Sequence, residues 1–174
     1  LALTAIFNLW GFIAGLIIIA LEIAFNKTDV TSPYVEKING REYVCGSNPM
    51  GITHFSFHFF DDKPCEFRYT NAQGEKTLSF GMTENVFAKF PQFGYSNEVG
   101  GQRTTDGFLY NCAASAAWDD PSKLMLYVQV VDRYFGTLYM LFAFKGDEVA
   151  VNMTKTAEDF FGEYQGTLVA KLAD

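Results

Sequence analysis

Histidine, cysteine and basic residues are scarce in this sequence, and each shortage removes a class of function. His54 and His58 are its two histidines, and Cys45, Cys65 and Cys112 its three cysteines. No C-x-x-C spacing occurs, so the usual zinc-binding arrangements are excluded. Three cysteines are too few for a disulfide scaffold. They read as buried apolar residues, with one disulfide left open if the domain is exported. Thirteen Lys and Arg stand against twenty Asp and Glu, a formal net charge of -7. Nucleic acid, which is gripped through a basic face, is therefore not an expected partner.

The catalytic signatures are missing too. No serine is followed by Lys at the third position, so the S-x-x-K nucleophile of penicillin-recognising enzymes, in which the amine sits one helical turn from the hydroxyl it activates, has no counterpart here. The triplet Tyr95-Ser96-Asn97 has the Y-x-N form such enzymes use beside their nucleophile, but Tyr69-Thr70-Asn71 has it as well. Neither histidine lies near a G-x-S-x-G elbow, and Gly100-Gly101 lacks the order of a phosphate loop. The paired acids Asp61-Asp62 and Asp119-Asp120 fall where hairpin turns are expected, as solvated turn residues. No catalytic residue, metal ligand or cofactor site is assigned.

What the sequence has in quantity is aromatic and apolar side chains. Eighteen Phe and an aromatic share of 17% in 174 residues supply a real core for one domain. The first 25 residues, LALTAIFNLWGFIAGLIIIALEIAF, contain no Lys, Arg or Asp. As a helix they would run about 37 Å, enough to cross a hydrocarbon core of ~30 Å. A transmembrane helix at 1–25 is the leading expectation. A signal peptide is the weaker one, since the basic n-region and a small-residue cleavage site are missing. Residues 26–33 turn polar and read as a linker, leaving 34–174 as the folded domain.

That domain alternates with period two. In THFSFHFF, Phe55, Phe57 and Phe59 share one face while His54, Ser56 and His58 share the other. On a strand the two histidines stand roughly 13 Å apart, too far to share a metal. Cys65, Phe67 and Tyr69 repeat the pattern, and NAQGEK turns the chain. Leu124, Leu126, Val128 and Val130, then Leu138, Met140, Phe142 and Phe144, then Val149, Val151 and Met153 give three strands of an antiparallel meander. Adding segments at 41–45, 77–81, 107–114 and 116–119 gives about eight to ten strands, the spacing of a sandwich or barrel. Thr156 with Asp159, followed by Ala157, Phe160, Phe161 and Tyr164 at helical spacing, predicts a short closing helix near 156–165, ended or interrupted by Gly166.

Four blocks, NPMGITHFSFHF, YTNAQGEKTLSFGMTENVFAKFPQFGYSNEVGG, YNCAASAAWDDPSKLMLYVQVVDRYFGTLYMLFAFK and KTAEDFFGEYQG, together resemble the C-terminal accessory domain that follows the catalytic domain of serine beta-lactamase-like hydrolases of gut and clostridial bacteria. The resemblance spans about Ser32 to Gly166. It implies an antiparallel, lipocalin-like β-barrel, no catalytic residue in this part, and a serine hydrolase domain as companion. Where that domain should precede Ser32, this chain carries its hydrophobic segment. The sequence thus reads either as a hydrolase whose catalytic part is absent or as a stand-alone, membrane-tethered module with an extracytoplasmic barrel.

Two functions follow as expectations. The first is a noncatalytic accessory or interaction domain. The second is a barrel that binds a small apolar ligand, with Phe57, Phe67 and Phe142 either lining the site or filling the core. Met125, Tyr127, Val131, Tyr139 and Leu141 add a second apolar face to the meander, more than a short helix can cover. They predict a docking surface on the barrel's outside.

Overall fold

A computed structural model describes residues 32–95, 105–132, 135–156 and 161–173. The alternation of the sequence appears in it as ten strands: β1 Glu42–Cys45, β2 His54–His58, β3 Cys65–Asn71, β4 Gly74–Met82, β5 Val86–Tyr95, β6 Thr105–Asp120, β7 Lys123–Val131, β8 Phe135–Lys145, β9 Glu148–Thr156 and β10 Gly166–Leu172. They hydrogen-bond in the order β4-β3-β2-β1-β10-β9-β8-β7-β6-β5. A further pairing of β4 with β6 closes the first nine into a barrel. Closure removes the open edges that a sheet of this length would otherwise expose.

The barrel corrects the antiparallel-only expectation. Gly81 and Met82 of β4 pair parallel with Ser115 and Ala116 of β6, so the sheet is mixed. The chain reaches β6, turns at Thr83, whose φ is 63°, and returns as β5, antiparallel to β6. Gly81 makes the turn possible: a Cβ there would stand 2.3 Å from the Glu84 carbonyl oxygen. The Thr83 amide then donates to the Ala116 carbonyl at 2.8 Å. The segments expected at 107–114 and 116–119 are one strand, β6, because successive stretches of it pair with β5 and with β4 on one edge while β7 follows the other.

The closing helix expected near 156–165 is also corrected. Thr156 is the last residue of β9, Gly162–Tyr164 form one 3₁₀ turn, and Gly166 opens β10 instead of ending a helix. Residues 157–160 lie outside the described part. Gly166 has a φ of 149°, and a Cβ on it would fall 2.4 Å from Pro49 Cγ, so the chain passes Pro49 at a distance that glycine permits. The first 31 residues, with the membrane helix and most of the linker expected there, lie outside the described residues as well. No helix among the described residues is long and apolar enough to cross a membrane.

The described chain enters at one end of the barrel. The Ser32 hydroxyl donates to the Pro121 carbonyl in the β6–β7 turn. A short helix, α1 (Tyr34–Ile38), follows. It plugs this end with Ile38, which is fully buried, and with Tyr34, whose ring stacks on Phe144 at 5.3 Å. Lys37 bonds the Gly146 carbonyl at 2.8 Å and pairs with Asp147 at 3.0 Å, fixing α1 to the β8–β9 turn.

Candidate functional site

Inward-facing residues fill the barrel. Phe57, Phe67 and Phe142, from β2, β3 and β8, are each 0% exposed. Their ring centroids lie 5.1 Å (Phe57–Phe67), 4.8 Å (Phe57–Phe142) and 5.3 Å (Phe67–Phe142) apart, at tilted or edge-on angles. Phe55 joins them, 5.6 Å from Phe142. The three residues singled out from the sequence as ligand or core are therefore brought together, as a knot of rings spanning the barrel from wall to wall. Such pairs add about 0.5–1.5 kcal/mol beyond the area they bury. Farther along the barrel, the Tyr69 and Tyr164 hydroxyls share a buried hydrogen bond of 2.7 Å. Burial raises the pKa of both phenols, so each stays neutral and can donate or accept. Near α1, burial pushes Tyr43 up to about 12.

Reactive chemistry does not converge anywhere among the described residues. All three cysteines are free, Cys65 and Cys112 buried and Cys45 half-buried. Burial pushes the thiols of Cys45 and Cys112 up to about 11, away from the thiolate a nucleophile needs. The structure does place one serine beside a histidine. Ser56 Oγ lies 3.1 Å from His58 Nε2, both on the outer face of β2. Burial lowers the His58 pKa, and Arg68 lowers it further, so the ring is neutral near pH 7. A triad would need an acid to orient this ring. Glu66 is opposite His58 in the β2–β3 register, but its carboxylate is held by Arg68 Nε at 2.9 Å. No group of three His, Cys, Asp or Glu among the described residues could hold a metal ion. Tyr69 of the second Y-x-N triplet has its hydroxyl engaged by Tyr164. Ser96 and Asn97 of the first lie outside the described residues. Asp61 and Asp62 are exposed in the β2–β3 connection, and Asp120 pairs with Lys123 in the β6–β7 turn.

The outside of the barrel is different. Tyr127 on β7 stands opposite Tyr139 on β8, ring centroids 4.9 Å apart, and Met125 stands opposite Leu141. These four residues, with Val131, point outward. Tyr139 is 43% exposed and Val131 40%, while Met125, Tyr127 and Leu141 are half-buried against one another and their neighbours. Beside them an open groove of about 440 Å³ crosses β8, β9 and β10. Ala143 and Ala150, an opposed pair, lie along it, with Leu141 on one side and Val169, 55% exposed, on the other. Small side chains between larger ones make the surface concave.

The sequence pattern predicts the β7–β8 half of this face, through Met125, Tyr127, Val131, Tyr139 and Leu141, and not the β9–β10 half. The missing half had a signal. GTLVAKL alternates Leu168 and Ala170, buried, with Thr167, Val169 and Lys171, exposed. The helical spacing before it makes Gly166 look like the end or interruption of a helix, whereas it opens this strand. No model of a known protein family matches the chain, and no curated protein matches it.

Proposed function

We propose that this chain is a noncatalytic interaction module that works through the outside of its barrel. One observation carries the reading: the apolar side chains are deployed the opposite way from a ligand-carrying barrel. The interior is filled by Phe57, Phe67 and Phe142 at 0% exposure, while Tyr139 and Val169 stay 43% and 55% exposed beside an apolar groove. Exposed apolar surface that is continuous and concave marks an interaction site on most soluble domains. The partner suggested by the sequence resemblance is a serine hydrolase catalytic domain. The test is binding of the full chain to an S-x-x-K hydrolase domain encoded beside it, measured by titration calorimetry. Tyr139→Asp should weaken that binding at least about tenfold, the equivalent of ~1.4 kcal/mol. An unchanged Kd, or the lack of any such hydrolase gene, removes this companion.

A second reading, a small apolar ligand inside the barrel, is favoured by one feature. Tyr43 Oη and Trp118 Nε1 are buried without a hydrogen-bond partner among the described residues, and both rings pack against Phe144. Buried donors of this kind ordinarily meet an acceptor. A fluorescent fatty-acid probe should then bind the full chain, and Phe142→Gln should abolish its binding. Fluorescence no higher than with a control protein sinks this reading.

A further inference from the structure

We infer that the groove across β8, β9 and β10 binds a neutral saccharide. The inference rests on the outer-face reading above and names a ligand for one half of that face. The first argument is charge. In a chain that is 19% Asp, Glu, Lys and Arg, none of these occurs at 125–131 of β7, 137–143 of β8, 150–154 of β9 or 167–169 of β10. The cations at the edge of this area are already engaged, Lys123 by Asp120 at 2.6 Å and Lys171 by Glu148 at 2.8 Å. On the barrel's other outer face, by contrast, β1 and β3 present Glu42, Glu66 and Arg68. An ionic ligand would give up hydration on the groove and find no counter-charge, whereas a neutral one loses nothing by that.

The second argument is the kind of polar group present. Leu141, Asn152 and Thr167 stand in one row across β8, β9 and β10, and Tyr139 stands opposite Thr154 in the next. The two rows are about 7 Å apart. Asn152, Thr154 and Thr167 are exposed, and their side chains form no hydrogen bond among the described residues. An amide and a hydroxyl each donate and accept. They match neighbouring hydroxyls on a sugar ring, which also do both. Tyr139, Leu141 and Val169 offer the apolar surface that the C–H side of such a ring covers, and the electron-rich face of an aromatic ring attracts polarised C–H groups.

The third argument is size. The groove's volume of about 440 Å³ falls within the ~300–1,000 Å³ usual for small-ligand sites. A lipid chain of that size would cover Asn152, Thr154 and Thr167 without pairing them, at a cost for each. A saccharide covers and pairs them together.

Titration calorimetry of the full chain with cellohexaose, maltohexaose and xylohexaose tests this, with an oligogalacturonate of the same length, which carries a carboxylate on every ring, as the charged counterpart. The expected result is saturable binding of at least one neutral hexasaccharide and none of the oligogalacturonate. Asn152→Ala, which removes the amide, and Ala150→Arg, which fills the groove, should each weaken that binding at least about tenfold. Both positions are exposed, so the unfolding midpoint should stay that of the wild type. Glu42→Ala on the other face should leave the Kd unchanged. Failure of all three neutral sugars to bind, equal binding of the oligogalacturonate, or a Kd unchanged by Asn152→Ala overturns the inference. The outer-face reading is scored separately, by the effect of Tyr139→Asp on binding of the hydrolase domain.

Discussion

The meander from Lys123 to Thr156 and the corner from Gly74 to Asp120 are both sheet, yet they are held in register by different means. In the meander, β7 pairs with β8 from Lys123↔Ala143 to Val131↔Phe135, and β8 with β9 from Thr137↔Thr156 to Lys145↔Glu148, without a shift. Hairpin neighbours in sequence are neighbours in space, and alternation sets which face each side chain takes. In the corner, the sixteen residues of β6 serve three partners, and its pairing with β5 shifts twice between Lys89 and Tyr95. Pro91 sits within the broken stretch, where the amide it lacks costs no ladder bond. The join to β4 is only two residues wide. The meander thus depends on many small matches, and the corner on a few backbone positions.

Four changes would sharpen or break that contrast. Phe142→Ala in the meander should have the largest effect, lowering stability by about 3–5 kcal/mol in denaturant unfolding. The Phe142 ring touches Phe55, Phe57 and Phe67 on the far wall, so both regions should melt together. A loss below ~1 kcal/mol would mean that the interior is not filled as described.

Gly81→Ala in the corner should cost about 1–3 kcal/mol, through the clash with the Glu84 carbonyl. Its signature is local: amide exchange at Thr83 should speed up more than at Leu126. Equal acceleration at both would show that the parallel pair is not an independent latch.

Thr83→Asn works in the opposite direction. A β-branched residue at φ 63° is strained, and Asn tolerates that region, so stability should rise by up to about 1 kcal/mol. A lower Tm would indicate that the Thr83 side chain makes a compensating contact.

The smallest effect belongs to Asp120, in the turn that joins the two regions. Its hydrogen bond to Lys123, helped by Ser122, holds the carboxyl at about 2, below the ordinary 3.8. A depressed carboxyl stabilises the fold above its unfolded pKa. That contribution is fully present above pH 3.8 and is lost as the pH falls through about 2. Asp120→Asn should remove this part of the acid sensitivity, and carboxyl NMR should place the wild-type midpoint near 2. A midpoint at the ordinary value would dissolve the Lys123 pairing.

The same contrast explains what could be read in advance. The inward rows of the meander and the β2–β3 hairpin were legible to the residue, because Phe55, Phe57, Phe67, Phe142 and their neighbours repeat with the strand period. Strand β5 was not. VFAKFPQFGY is interrupted by Pro91 and by register shifts, so its alternation fails where the bulges fall. The 156–165 segment misled for a related reason. Phe160, Phe161 and Tyr164 have helical spacing, but Phe161 and Tyr164 bury their rings against Phe90. One 3₁₀ turn brings them there, and tertiary packing outweighs the local preference. The outer face was half legible. Met125, Tyr127, Tyr139 and Leu141 follow the period, whereas a groove lined by Ala143 and Ala150 has no signature until two strands are set side by side.

The sequence by itself determined that this chain builds an aromatic-cored β domain without an S-x-x-K nucleophile or a C-x-x-C metal motif. Alternation and residue type are local properties, and they survive in any arrangement that keeps one face of each strand dry. Only the tertiary structure decided that the barrel closes through a parallel pair and that its apolar groove lies outside, on β8 to β10. It also decided that Ser32 is fastened to the β6–β7 turn. Closure and concavity are relations between distant segments, set by which backbones can approach, and Gly81, Gly166 and the opposed alanines acquire their meaning only from what lies against them.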